Sequence, residues 1–228
     1  MIRALMFDLD DTLYRELDFI AGGYRAVAES VASGCGGAWM DLHAMMMAAL
    51  AREGRYAAMD AVLERYPASG LQVADLVRVY RSHVPTIQLL PGYGELLQEL
   101  RSCYRIGIIT DGAPEVQKAK CTALGLDRIA DNILCTWENG KDKEKPHPLP
   151  FRQMLDRFGV MPAEALFIGD NLTKDIRGAR GVGMRAVHVL PPGIKCDGQS
   201  AQESDFVVES LAQLPLILRQ LEDGDEGA

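Results

Sequence analysis

The stretch Met1-Ile-Arg-Ala-Leu-Met-Phe-Asp8-Leu-Asp10-Asp11-Thr12 decides how the rest of the chain is read. Ile2, Ala4, Leu5, Met6 and Phe7 form a short apolar run that stops at carboxylates. Such a run is the pattern of a central strand of a parallel sheet, buried on both faces. In open α/β sheets, ligands bind at the carboxyl ends of the strands. Two carboxylates two residues apart at such an end, Asp8 and Asp10, can face one pocket. An Asp-rich turn that merely ends a strand is the plain alternative for this stretch taken alone.

Similar apolar runs recur at 105–110, 132–136, 165–169, 185–189 and 205–208. Helical patterns lie at 92–103, 114–124, 149–158, 172–182 and 211–221. Strands alternating with helices predict βαβ units, so the expected fold is α/β with a doubly wound, Rossmann-like parallel sheet. One stretch breaks the alternation. From about 18 to 83 the chain is rich in Ala and Met, with helical spacing at Tyr24, Val27, Ala28 and Val31, and glycines and Pro67 as punctuation. This predicts four or five helices inserted after the first strand as a cap, a lid on the sheet. The expected division is 1–13 with 91–228 for the α/β core and 14–90 for the helical cap. Arg52, Arg55 and Tyr56 are polar candidates within the cap, each read first as a solvent-facing or packing side chain. The stripe Met45-Met46-Met47 is read as core packing.

The 228 residues carry 24 Lys plus Arg against 32 Asp plus Glu, a net charge of −8. That balance argues against a nucleic-acid binder, which carries a basic face. Glu222, Asp223, Asp225 and Glu226 fall at the very end and are read as a solvated tail. The five cysteines, Cys35, Cys103, Cys121, Cys135 and Cys196, form no CxxC pair, so neither a zinc site nor a disulfide framework is expected. Reduced thiols in a cytoplasmic protein fit better. No signal segment and no membrane span is expected, because no apolar stretch approaches about 20 residues.

Three further short stretches accompany the first. Thr110-Asp111-Gly112 ends a predicted strand, where a hydroxyl and glycine-freed backbone N–H groups can hold an anion. Lys145-Pro146 precedes a predicted helix. Gly169-Asp170-Asn171, with Asp175, follows another strand, and its plain reading is a helix N-cap with acids in the first turn. Each alone is weak, but all lie on the carboxyl side of the sheet. Together they bring Asp8, Asp10, Asp170 and Asp175 toward one place. Four carboxylates cannot share a cleft ionised without cations. Oxygen ligands with no His or Cys point to Mg²⁺. His147 and His188 have no partner acids at ligand spacing and are read as structural.

At these four stretches the chain resembles the haloacid dehalogenase superfamily, whose pattern is DxDx[TV], a strand-end Ser or Thr, a Lys, and GDxxxxD. Here they read Asp8-Leu-Asp10-Asp11-Thr12, Thr110, Lys145, and Gly169-Asp170 through Asp175. The helical insert is similar to that superfamily's α-helical cap. Asp111 stands where many relatives carry Asn, and the choice of Lys145 over Lys141 and Lys143 rests on the following proline. The resemblance implies a phosphatase acting on a small phosphorylated metabolite. Asp8 would be the nucleophile and form an aspartyl-phosphate, and Asp10 the general acid and base. Asp8, the Asp10 backbone carbonyl and Asp170 would hold Mg²⁺, with Asp175 and Asn171 behind them. Thr110, Asp111, Gly112 and Lys145 would hold the phosphate. A phosphomutase uses the same motifs. Dehalogenases need neither the second acid nor a metal, so Asp10 and Asp170 favour phosphate chemistry. A non-catalytic phosphate binder would not need both Asp8 and Asp10.

Overall fold

The computed structural model describes residues 1–55, 57–67, 70–190 and 198–225. Tyr56, Cys196 and Glu226, drawn into the reading above, lie outside these residues. In chain order, β1 (Ala4–Phe7) precedes four helices, α1 (Glu16–Cys35), α2 (Trp39–Glu53), α3 (Ala57–Arg65) and α4 (Val73–Ser82). The alternating part follows: α5 (Tyr93–Arg101), β2 (Arg105–Thr110), α6 (Pro114–Ala123), β3 (Asn132–Cys135), α7 (Pro148–Phe158) and β4 (Ala165–Gly169). It closes with α8 (Gly178–Gly181), β5 (Arg185–Val189), α9 (Gly198–Glu203), β6 (Phe206–Val208) and α10 (Leu214–Asp225).

The chain divides into two compact units, Met1–Arg15 with Gln88–Ala228, and Glu16–Ile87. The first holds one six-stranded sheet of order β3-β2-β1-β4-β5-β6, with every neighbouring pair parallel. All four residues of β1 are buried, as a continuous apolar run requires when strands flank it on both sides. Phe7 stands opposite Ile108 of β2 and Ile168 of β4. Met6, Ile109, Leu134, Phe151, Met154, Phe167 and Ile176 share one core cluster. Within it, Phe151 of α7 meets Phe167 of β4 edge-on, with ring centroids 5.1 Å apart. The chain leaves this unit after Arg15 and returns at Gln88, and Leu90 N donates to Leu13 O at 2.9 Å. Tyr14 therefore belongs to the sheet unit, and it is fully buried there.

The second unit packs α1–α4 around Tyr24, Val27, Val31, Leu42, Met46, Val62 and Leu76. The three- and four-residue spacing along α1 is the apolar stripe that faces this core. Met46 is fully buried, with Met45 and Met47 packed at the edge. Tyr24 Oη donates to Arg55 O at 2.8 Å, and Arg55 pairs with Glu16 at 2.6 Å, so both ends of that contact are structural.

Two expectations are corrected. The helix expected over 172–182 is broken. A π-helical turn spans Leu172–Arg177, and α8 follows it. The wider turn lets Asp175 N and Ile176 N both reach Asn171 O, at 2.9 and 3.3 Å. The acidic tail is also shorter than read. Glu222, Asp223 and Asp225 lie in α10, and Glu222 accepts a hydrogen bond from Tyr104 Oη at 2.9 Å. Among the described residues, no helix is long and apolar enough to cross a membrane.

Phe151→Ala empties the space between α7 and β4. It should destabilise the sheet unit by about 3–5 kcal/mol, the usual cost of truncating a buried Phe. Urea denaturation followed by circular dichroism measures this, and a loss below about 1 kcal/mol would contradict the packing described.

Candidate active site

β1 lies between β2 and β4, so the segments leaving these three strands meet at the carboxyl edge of the sheet. Asp8 N donates to Ile168 O at 2.9 Å, which carries the strand pairing one residue beyond β1 and fixes the Asp8 backbone. Thr12 Oγ1 accepts from Asp170 N at 3.1 Å. The same oxygen lies 3.5 Å from Asp8 Oδ2 and 3.3 Å from Asp170 Oδ1. Thr12 thus ties the loop after β1 to the loop after β4.

Lys145 is 2% exposed, and its Nζ pairs with Asp8 Oδ1 and, at 2.7 Å, with Asp175 Oδ1. It also donates to Ile109 O at 3.1 Å. Burial works against its charge, but Asp175, Asp8 and Asp111 hold its pKa above the ordinary lysine value. The carboxylates outnumber this ammonium. Burial pushes the Asp8 carboxyl well above the usual carboxylate range, against the pull of Lys145, and Asp175, Asp170 and Asp10 add to the rise. Asp170 is pushed up to about 7, first by burial and then by Asp175 and Asp11.

The motif around Asp170 is an N-cap as well as a source of acids. Asn171 Oδ1 accepts from Thr173 N at 3.1 Å and Lys174 N at 2.9 Å, and Asn171 N donates to Asp175 Oδ2 at 3.0 Å. Asp175 lies hard against the end of β4. A Cβ at position 169 would sit 2.5 Å from Asp175 Oδ2, so glycine is required there.

Asp111 is held by its side chain. Oδ1 accepts from Thr136 Oγ1 at 2.9 Å and from Lys145 N at 3.0 Å, and Oδ2 meets Lys174 Nζ at 3.1 Å. The carboxylate thereby fixes the backbone of the lysine loop. Gly112 has φ +131, and a Cβ there would lie 2.7 Å from Gln117 Nε2. Thr110 is fully buried, and among the described residues its Oγ1 has no hydrogen-bond partner. A buried hydroxyl without a partner costs stability unless a ligand supplies one.

The carboxylate of Asp10 turns elsewhere. Its Oδ1 accepts from Tyr14 Oη and pairs with Lys120 Nζ at 2.7 Å, and its Oδ2 accepts from Gln117 Nε2 at 3.2 Å. The structure therefore gathers one carboxylate oxygen each from Asp8, Asp170 and Asp175 within 4.8 Å of one another, without Asp10. These three fit a divalent cation that prefers oxygen. The donors are all carboxylates and largely buried, and the carboxyls of Asp8 and Asp170 are raised first by burial and then by neighbouring acids, which Lys145 alone does not offset.

His188 Nε2 lies 2.7 Å from Asp170 O, and His147 Nδ1 accepts from Leu149 N at 3.1 Å as the cap of α7. Both contacts are to backbone groups. Lys120 and Gln117 were not singled out, although their signal was present. The buried residues of α6 are Val116, Gln117, Lys120 and Cys121, so an amide and an ammonium occupy its inward stripe.

The haloacid dehalogenase-like hydrolase family matches residues 2–183. A glyceraldehyde 3-phosphate phosphatase of Methanocaldococcus jannaschii is 28% identical over 97% of this chain and 99% of its own. A phosphoserine phosphatase of Thermus thermophilus is 30% identical over 82% of this chain and 88% of its own. Among solved structures, the HAD-hydrolase YfnB of Bacillus subtilis, crystallised with magnesium, superposes with a TM-score of 0.73 at 22% identity, covering 95% of this chain and 98% of that one. With its six-stranded parallel sheet and its match across four fifths of its length, the chain belongs to the haloacid dehalogenase-like hydrolases.

Proposed function

We propose that this chain, a phosphatase of its family, hydrolyses a small phosphate monoester with Mg²⁺ bound, through an aspartyl-phosphate on Asp8. One observation carries the reading. The buried Asp8 carboxylate lies in a cluster with Asp170 and Asp175, while Lys145 holds its Oδ1. Relatives named for glyceraldehyde 3-phosphate and phosphoserine support a small phosphorylated metabolite, and a sugar phosphate ahead of a nucleotide. The net charge of −8 disfavours a polyanionic nucleic acid. Cys35, Cys103, Cys121 and Cys135 are free, which fits a reducing compartment such as the cytoplasm.

In the first step a carboxylate oxygen of Asp8 attacks phosphorus, the Asp8 O–P bond forms and the ester P–O bond breaks. Asp10 gives its proton to the leaving oxygen. In the second step Asp10 takes a proton from water as that water attacks phosphorus, which releases phosphate and restores Asp8. Thr110 Oγ1 and the backbone N–H groups of Asp111 and Gly112 donate to the phosphate oxygens, and Lys145 balances their charge. Asp8, Asp170 and the Asp10 backbone carbonyl would hold Mg²⁺, with Asp175 and Asn171 positioning them. The ion would supply the positive charge that lets Asp8 approach an anion. The presence of Asp10 and Asp170 favours this chemistry over dehalogenation, which needs neither.

Three predictions follow from this scheme. Purified protein should hydrolyse p-nitrophenyl phosphate with Mg²⁺, lose that activity in excess EDTA and regain it when Mg²⁺ is restored. Equal rates in both conditions would remove the metal from the scheme.

Asp8→Asn should abolish turnover on every ester. Asp10→Asn keeps the nucleophile but loses the proton carrier. Such help is worth roughly 10²–10⁴-fold, so the variant should be slow on alkyl phosphates and much less impaired in its first step on an aryl phosphate. Acid quench and mass spectrometry should find phosphate on the peptide that contains Asp8. Full activity in Asp8→Asn, or phosphate on another residue, would overturn the scheme.

The raised carboxyls set a pH dependence. An acid with a raised pKa binds its proton more tightly in the folded state than in the unfolded one. Its stabilisation is present at low pH and is lost as pH rises from about 4, the unfolded value, through the folded value, about 7 for Asp170. Mg²⁺ takes the place of those protons. The rise in Tm on adding Mg²⁺ should therefore be larger at about pH 8 than at about pH 5, and thermal melts that show the reverse would contradict the cluster.

A further inference from the structure

We infer that Lys120 is a positioning residue for Asp10, acting with Gln117 and Tyr14 to hold that carboxylate in one place for proton transfer. The inference rests on Asp10 as the acid and base of the reaction proposed above. Lys120 and Gln117 lie one turn apart on the inward stripe of α6, and each is 3% exposed. A helix stripe packed against a protein interior is normally apolar, and a buried ammonium is costly unless it is paired. Lys120 is paired with Asp10 Oδ1 at 2.7 Å. Gln117 Nε2 donates to Asp10 Oδ2 at 3.2 Å and also to Asp111 O. Its Oε1 is buried without a hydrogen-bond partner among the described residues, so this amide is kept for what its Nε2 does. Tyr14 Oη completes the set on Oδ1.

Both oxygens of Asp10 are thus held by donors from two directions, Tyr14 on its own loop and α6 behind it. The Asp10 side chain keeps 22% of its surface exposed, whereas that of Lys120 keeps 3%. The acid faces outward and the ammonium stands behind it. That order suits a lysine that acts through Asp10 and not one that touches substrate. The bond from Gln117 to Asp111 O has a second effect. It links the acid to the loop of Asp111 and Gly112, so the group that protonates the leaving oxygen and the backbone proposed to hold phosphate are set relative to one another. Proton transfer to a leaving group requires such placement, since small misplacements of a reacting group are expensive in rate.

The test compares wild type, Lys120→Met, Gln117→Leu and Asp10→Asn, at saturating Mg²⁺, on p-nitrophenyl phosphate and on glycerol phosphate. Thermal melts establish that each variant is folded. Lys120→Met should lower kcat on glycerol phosphate by roughly 10–100-fold, a part of the roughly 10²–10⁴-fold worth of general acid–base help, with KM changed less than about 3-fold. Its phosphorylation burst on p-nitrophenyl phosphate should fall by less than about 3-fold, because that leaving oxygen needs little protonation. Gln117→Leu removes one donor without a charge and should show the same contrast in smaller measure, which keeps the idea testable if Lys120→Met does not fold. Equal losses in the phosphorylation step of the two esters, or a raised KM with kcat kept, would overturn the positioning role. Asp10→Asn separates the two levels. If it shows no leaving-group contrast, the proposed mechanism itself is wrong. If it shows the contrast and the α6 variants do not, the role given to Lys120 alone is wrong.

Discussion

The ammonium of Lys145 is the charge on which the site is built. It is almost wholly buried, and it is bound to Asp8, Asp175 and the Ile109 carbonyl. A buried ion is tolerable only when its partners are close and complete. Here each partner comes from a different segment: the loop after β1, the end of β2 and the π turn after β4. The lysine's own loop is fixed by the bond from its backbone N–H to Asp111. One cation thus joins four stretches of chain, and the excess of carboxylates around it creates the demand for a second positive charge.

Sheet order makes this convergence possible. β1 has β2 on one side and β4 on the other, although these strands begin about 100 and 160 residues further along the chain. The edge where the strand order reverses is where α/β sheets hold ligands. Thr12 then bridges the two sides by accepting from Asp170 N while it faces both carboxylates. Close approach is purchased with glycine at position 169, where any side chain would strike Asp175.

The backbone plan was legible in the sequence because it rests on period and composition. The apolar run ending at Asp8 is a buried central strand, and Tyr24, Val27, Ala28 and Val31 face one core. Lys145, Asp170 and Asp175, gathered around Asp8, stand in motifs that the sequence displays. Side-chain direction was not legible. Four acids in one cleft was the natural reading of spacing, yet Asp10 turns away from the other three, toward Tyr14 and α6. Asp111 looked like a simple turn residue, but its carboxylate braces the Lys145 loop through contacts made across more than 20 residues of sequence. Lys120 and Gln117 escaped notice because charged residues on a helix are ordinarily solvated, and only the packing shows them inside. The π turn at Leu172–Arg177 is invisible to periodicity, since six residues are too few to separate a wider winding from an α-helix.

The discontinuous sheet unit has a consequence for the order in which the protein is made. β1 is made before both of its partners, which end at Thr110 and Gly169. The helical segment Glu16–Ile87 is continuous in sequence and built from neighbouring helices, so its contacts are local and can close early. β1 must wait until about 160 further residues have been made for its second neighbour. Asp8 is therefore translated well before Asp170 and Asp175, the acids that complete its surroundings. A nascent chain released before β4 has emerged lacks one wall of the pocket and exposes an edge of unpaired strand, a natural handle for chaperones and proteases.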